Sequence, residues 1–451
     1  MKSFISIFFV LTITSCSFDN KTGIWNDADK IPVDNKQAKS IDESTQQSQY
    51  EEIFIKDQEF NEEKIVSNKL TLLLDEVTEI DNWLEQYGNN SNNVSNYSYS
   101  GNNILLTKSP KLNKLSSNEN NIFYENNLIG FDHKGKIFIY SLDTRKKIFE
   151  YNFYKKSFKK FKKKIYLIAK KNILYAADNL GYVYAINLNT KSLIWAKNYG
   201  IPFRSNLKII EDQIFLANQD NQVYSIDTKT GNKNWQFGSR LTFLKSEFKN
   251  NFAVDEIGKN LIFLNTSGEL YSFNYINQNI NWVINFKNSF LKSEINLFTS
   301  NPIIIKNNIL IVSTDNSIFS YDIMTGARNW RFPSNSIIKP IITNNYTYIL
   351  SKNNLLICLN IETGEVIWSK NILKNLKIKK INKIGSFYDF KIVNNEVNLY
   401  SKNGYLLSFN YKNGNNNYIK KISKNGISSK IFFLKKNMLL LDNNSRLLKF
   451  N

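Results

Sequence analysis

Asn316-Ser-Ile-Phe-Ser-Tyr-Asp322-Ile-Met-Thr-Gly326-Ala-Arg-Asn-Trp330 decides the fold, because the chain repeats it. The stretch opens on a turn-former, runs through β-branched and aromatic residues, and closes on Asp322. That pattern predicts a strand bounded by turns. Thr325-Gly326 follows, where Gly supplies positive φ and the Asp side chain can bond its own turn, so a hairpin should lead on to Trp330. The strand recurs at Gly181–Asn187, Asn221–Asp227, Gly268–Asn274, Asn354–Asn360, Gly404–Asn410 and Ser445–Asn451, with a weaker copy at Ile137–Asp143. Eight residues after the closing Asp or Asn stands an aromatic: Trp195, Trp235, Trp282, Trp330, Trp368 and Tyr418. In the weak copy Phe149 or Tyr151 fills that slot.

Successive aromatics lie 40, 47, 48, 38 and 50 residues apart. With a further apolar run upstream, such as Ile309–Ser313, each unit holds about four short strands at a period near 45, the signature of propeller blades. One four-stranded sheet cannot bury both faces, whereas radial packing gives every sheet two neighbours. The expectation is an all-β, eight-bladed propeller of four-stranded antiparallel blades over 102–451. The final copy stops at Asn451 without its hairpin and outer strand, and the segment Asn103–Leu112 is the natural donor. The fixed place of the aromatics in every unit predicts blade packing for them rather than ligand stacking.

Composition bounds the chemistry. The 451 residues carry 59 basic and 39 acidic side chains, but only six of the basic ones are Arg. Phosphate recognition leans on Arg forks as well as Lys, so the charge is not read as a nucleic-acid signal. His133 is the single histidine, which rules out a multi-histidine zinc site, and no nucleophile elbow accompanies it. No cofactor, metal or catalytic residue is expected. The run Lys155–Lys164, with Phe158 and Phe161 interleaved, has the make-up to grip anionic lipid headgroups or nucleic acid, but reads first as a solvated loop between blades. Of the two cysteines, Cys358 falls inside a strand and reads as a small buried hydrophobe.

The leader Met1-Lys2 followed by Phe4–Ile13 is too short to span a bilayer as a mature anchor. It ends in Ile13-Thr14-Ser15-Cys16, which resembles the lipobox of bacterial lipoproteins. That resemblance implies a signal peptide over 1–15 and acylation of Cys16; an ordinary secretory signal is the alternative. Ser17 in place of Asp favours the outer membrane. Residues 16–50 are polar enough for a flexible tether, and 51–101 form an arm of uncertain order. Within it, Glu51–Ile80 fits an extended arm or a short helix, and Asp81–Gly101 reads as a loop leading into the ring.

The repeat resembles the pyrroloquinoline-quinone-type propeller unit, Gly-x-Val-Tyr-Ala-Leu-Asp followed by Thr-Gly and Trp. Lipobox, tether, eight blades and the terminal strand Arg446–Phe450 together look like the BamB family over nearly the whole chain, and Asn82-Trp83…Gly88 resembles an Asn-Trp-Pro-Gln-x-Gly-Gly element of some members, without its Pro. The resemblance implies a non-enzymatic lipoprotein scaffold on the periplasmic face of the outer membrane. Its partner would be the barrel-inserting subunit BamA, with unfolded outer-membrane proteins as clients. In that family an acidic–aliphatic–acidic loop before a proline-started strand contributes to the contact. The similar stretch contains Leu291, Lys292, Glu294 and Asn296, ahead of Pro302, with Asn296 replacing the second acid. Quinoprotein dehydrogenases share the repeat but use a vicinal Cys pair and acidic calcium ligands; neither Cys here has a Cys neighbour. The remaining alternative is a lipid-anchored propeller that binds another envelope protein or cell-wall glycan.

Overall fold

In the computed structural model, residues 58–66, 72–113, 116–154, 158, 160–240, 248–286 and 298–451 are described. They contain eight antiparallel sheets of four strands each. Seven sheets are sequential: 116–152, 165–198, 208–238, 251–285, 304–332, 341–371 and 387–421, called here blades 1 to 7. Blade 8 takes three strands from the C-terminus and a fourth, Leu105–Lys108, from before blade 1. Leu105 faces Phe450 and Lys108 faces Leu448, while Ile104 and Asn451 exchange backbone hydrogen bonds at 3.0 Å each way. A strand from before blade 1 thus completes the sheet that the last three strands leave open.

Strands of three to five consecutive buried residues follow from this arrangement, because both faces of each inner strand meet a neighbouring blade. Tyr166, Ile168 and Ala177 of blade 2 share a core with Ile209, Ile214 and Leu216 of blade 3. Ile304 and Ile311 of blade 5 likewise pack with Ile349 and Ile357 of blade 6. The fourth strands, such as Lys233–Gly238, alternate exposed and half-buried residues, as an outer edge should.

The repeated tryptophans join one blade to the next. The indole Nε1 of Trp195 donates to the Thr228 carbonyl at 2.9 Å, Trp282 to Ile323 at 3.0 Å, Trp330 to Ile361 at 2.7 Å and Trp368 to Tyr411 at 3.2 Å. Every acceptor directly follows the closing Asp or Asn of the succeeding blade. Each indole also covers the turn glycine there: a Cβ on Gly231, Gly326, Gly364 or Gly414 would fall 2.4–2.7 Å from the ring. Trp235 is the exception, with a buried Nε1 that has no hydrogen-bond partner. Its successor turn carries Gln278, not Gly, at the positive-φ position (66°). Tyr418 is half-buried against the core of blades 7 and 8.

Gly364→Ala tests the docking. At φ 73° a Cβ is strained, and it would meet the Trp330 ring. The expected cost is about 2–4 kcal/mol, combining the left-handed penalty with overpacking. Denaturant unfolding reads it, and in a Trp330→Leu background the same change should cost about half as much.

The residues read as a solvated basic loop and as an entry loop behave differently from expectation. Lys163 is 1 % exposed, lies 5.1 Å from the centroid of the Tyr154 ring and donates to the Phe158 carbonyl, so that part of the Lys run is packed. Among the described residues a short helix, Ile378–Ile384, interrupts the approach to blade 7, where the sequence reading placed none. Asp81–Gly101 does not simply lead into the ring. It fills the middle of it.

Candidate functional site at the ring axis

The first strands of the blades border the axis. Between Ile80 and Tyr97 the chain runs from one to the next and touches all eight. Trp83 exchanges two backbone hydrogen bonds with Phe123 in blade 1 (2.9 and 2.8 Å), and Leu84 accepts from Ala169 in blade 2 at 2.9 Å. Asn90 accepts from Val254 in blade 4 at 2.9 Å, and Ser91 from Ile305 in blade 5 at 3.0 Å. Asn93 both donates to and accepts from the Ile342 backbone in blade 6, at 3.0 and 3.1 Å. Tyr97 donates to Ile392 in blade 7 at 2.9 Å, and Ile80 accepts from Lys435, just beyond the first strand of blade 8, at 2.9 Å.

Blade 3 is reached through charge. The Lys208 ammonium donates to both Glu85 oxygens (2.7 and 2.9 Å), to the Asn89 carbonyl and to Asn92 Oδ1 (2.8 Å each). Burial pushes the Glu85 carboxyl up and the Lys208 amine down, while their mutual attraction opposes both. Such a segment has to be irregular. It satisfies donors and acceptors that eight strands present from eight directions, so asparagine side chains stand in for backbone amides.

Most of these contacts fall where the first strands finish, so the segment stoppers that end of the channel. From the other end, where the strands begin, a funnel of about 390 Å³ descends to it. Trp83, Tyr87, Val94 and Tyr97 form the floor. Trp83 stacks on Tyr97 at 6.1 Å and meets Phe432 edge-on at 5.3 Å. The walls carry Lys339, Lys391 and Lys430, with Lys402 also lining the cavity.

Lys391 is balanced by Asp389, with Nζ 3.2 Å from Oδ1, and the second Asp389 oxygen accepts from the Ile431 amide at 2.8 Å. Lys430 donates to the Gln86 carbonyl at 2.7 Å and stands 3.8 Å from the Tyr87 ring centroid. Lys339 donates to the carbonyl of its neighbour Pro340 at 3.2 Å. Burial, then the positive charge of Lys391, push the Lys339 amine down to about 7. Burial and the Lys391 charge also push Lys430 down.

A stability consequence follows from Lys339. In the unfolded chain its amine binds a proton up to about 10.4, but in the folded protein only up to about 7. The unfolded state therefore holds the extra proton across that window, and stability at this site rises with pH from about 7 upward. Lys339→Met should raise the melting temperature at pH 7 by about 1–3 °C and flatten its rise toward pH 9.5. Parallel calorimetric scans of both proteins check this.

Of the residues singled out from sequence, Ile13, Thr14, Ser15, Cys16, Leu291, Lys292, Glu294 and Asn296 lie outside the described residues. Phe286 and Phe298, which flank the last four, stack at 6.0 Å. His133 sits in a turn, its carbonyl accepting from the Lys163 amide at 3.0 Å. Cys358 is fully buried in blade 6, and burial pushes its thiol up. The sequence reading missed the axial lysines. The repeat held one signal for them: Lys339 and Lys430 each stand two residues before a first strand, at Ile341 and Phe432.

Residues 155–370 match a family model described as outer membrane protein assembly factor BamB. A comparison with curated proteins gives no match. Among solved structures, BamB from Moraxella catarrhalis is 11% identical with a TM-score of 0.61, covering 77% of this chain and 99% of that one. A europium-containing methanol dehydrogenase is 10% identical with a TM-score of 0.58, covering 80% and 89%. A quinohemoprotein alcohol dehydrogenase from Pseudomonas putida HK5 is 10% identical with a TM-score of 0.60, covering 83% and 80%. At these identities the structures speak to the fold, which BamB and the dehydrogenases have in common. The chain is an eight-bladed propeller similar to the BamB family, and residues 155–370 carry that match.

Proposed function

We propose that this chain is a non-enzymatic scaffold of the outer-membrane β-barrel assembly machinery. Acylated Cys16 holds it at the periplasmic face of the outer membrane, and it binds the BamA-type barrel-inserting subunit. The observation carrying the proposal is the family match over residues 155–370 within a propeller shaped like BamB. The loop of Leu291, Lys292, Glu294 and Asn296 is the proposed contact.

The axis supports this reading over a quinoprotein. A calcium–quinone pair needs free acidic ligands at the ring centre, whereas Glu85 and Asp389 each already hold a lysine there. Cys358 lies inside a blade, away from any role as one of two adjacent sulfurs over a cofactor.

Co-purification from detergent-solubilised outer membranes tests the proposal. The barrel-inserting subunit should accompany the tagged protein, and charge reversal at Lys292 and Glu294 should weaken that capture without moving the melting temperature. Recovery of the propeller without that subunit would overturn the assignment. Full capture by the charge-reversed protein would remove the loop.

A further inference from the structure

The geometry points to the axial funnel as a binding site for a small organic or inorganic anion of two or more charges, recognised through carboxylate or phosphate groups. Four lysines line it, Lys339, Lys391, Lys402 and Lys430, against one carboxylate, Asp389. With its lysines protonated, the lining is net positive. Lys208 and Glu85, deeper in, cancel each other. Like charges gathered in an aromatic cleft oppose folding, and an anion in the cleft is what relieves them.

The surroundings aim the ammonium groups inward. Lys391 lies 5.6 and 5.7 Å from the Trp83 and Tyr97 ring centroids, and Lys430 lies close over Tyr87. These contacts hold each cation on a ring face with protons left for a ligand. The depressed affinity of Lys339 and Lys430 for protons agrees with such crowding.

Size and closure select a small ligand. A volume of about 390 Å³ lies at the lower end of the range for small-molecule sites. The stopper formed by Trp83 to Tyr97 blocks the far end, so a polymer cannot thread through. The aromatic floor would take the apolar body of a ligand whose charged groups reach the walls. This inference does not depend on the proposed scaffold role, since no partner protein enters it.

The test uses the full mature protein at pH 7 and constant ionic strength. Citrate supplies carboxylates and inorganic pyrophosphate supplies phosphates, each followed by titration calorimetry. Mass spectrometry maps acylation of individual lysines with and without the anion. One saturable site for at least one probe is expected, with that probe protecting Lys339 and Lys430 from acylation. Lys339→Gln combined with Lys430→Gln should weaken binding by about tenfold or more. Lys424→Gln, in a separate surface cleft, should leave it unchanged. The two arms tell a carboxylate site from a phosphate site. Failure of both probes to saturate would overturn the inference, as would unprotected Lys339 and Lys430 in the wild-type protein. Equal binding by the double variant, with its melting curve intact, would do the same.

Discussion

Lys208→Met should destabilise the ring by about 3–5 kcal/mol, because it strands the Glu85 carboxylate in a site with little access to water. Asn89 and Asn92 lose their charged donor in the same step. The loss belongs to the unpaired charge more than to the lysine itself. Pairing the change with Glu85→Leu should therefore restore most of the stability, since an apolar pair of similar volume removes the stranded group. Urea denaturation of the two single variants and the double variant completes the cycle. If the double variant were as unstable as the sum of the singles, the pair would not be coupled as described.

Trp83→Ala should cost about 3–5 kcal/mol, the range for emptying a buried aromatic site. Trp83 is 1 % exposed, and its ring meets Tyr97 and Phe432 while its backbone bonds Phe123. It thus ties blade 1, blade 8 and the stopper together around one side chain. The same change removes part of the funnel floor. Loss of anion binding should then accompany the loss of stability, whereas Lys208→Met should affect stability first.

The blades were readable because strand, turn and aromatic sit within about fifteen residues of each other. Asn316–Trp330 contains a whole hairpin, and Asp322 caps its turn as read, with Oδ1 accepting from the Met324 and Thr325 amides at 3.0 and 2.8 Å. What each tryptophan touches was not readable within one unit. Trp330 meets Gly364 and Ile361 of the next blade, so the decisive residue lies 34 positions later. Trp235 packs against the next blade without that hydrogen bond, and the turn facing it carries Gln278 in place of the glycine.

The axial stopper was harder to foresee. Asn92 and Asn96 are wholly buried, yet stretches of Asn and Ser normally signal an exposed loop. Their burial comes from the ring, whose strand ends offer carbonyls and amides that short amides can meet. Asn92 donates to the Phe252 and Ile303 carbonyls, from two different blades, at 2.8 Å each. The lysine funnel was hidden for a related reason. Lys339, Lys391 and Lys430 are at least 39 residues apart and become neighbours only when the circle closes. In a chain so rich in lysine, none of them stood out alone.

Amide hydrogen exchange followed by mass spectrometry tests the central claim, that the segment from Ile80 to Tyr97 is a structural part of the ring and stoppers its axis. Peptides covering Trp83 to Tyr97 should exchange as slowly as those from the inner strands of blades 4 and 7. Complete exchange of that segment within seconds, while the blades stay protected, would contradict it.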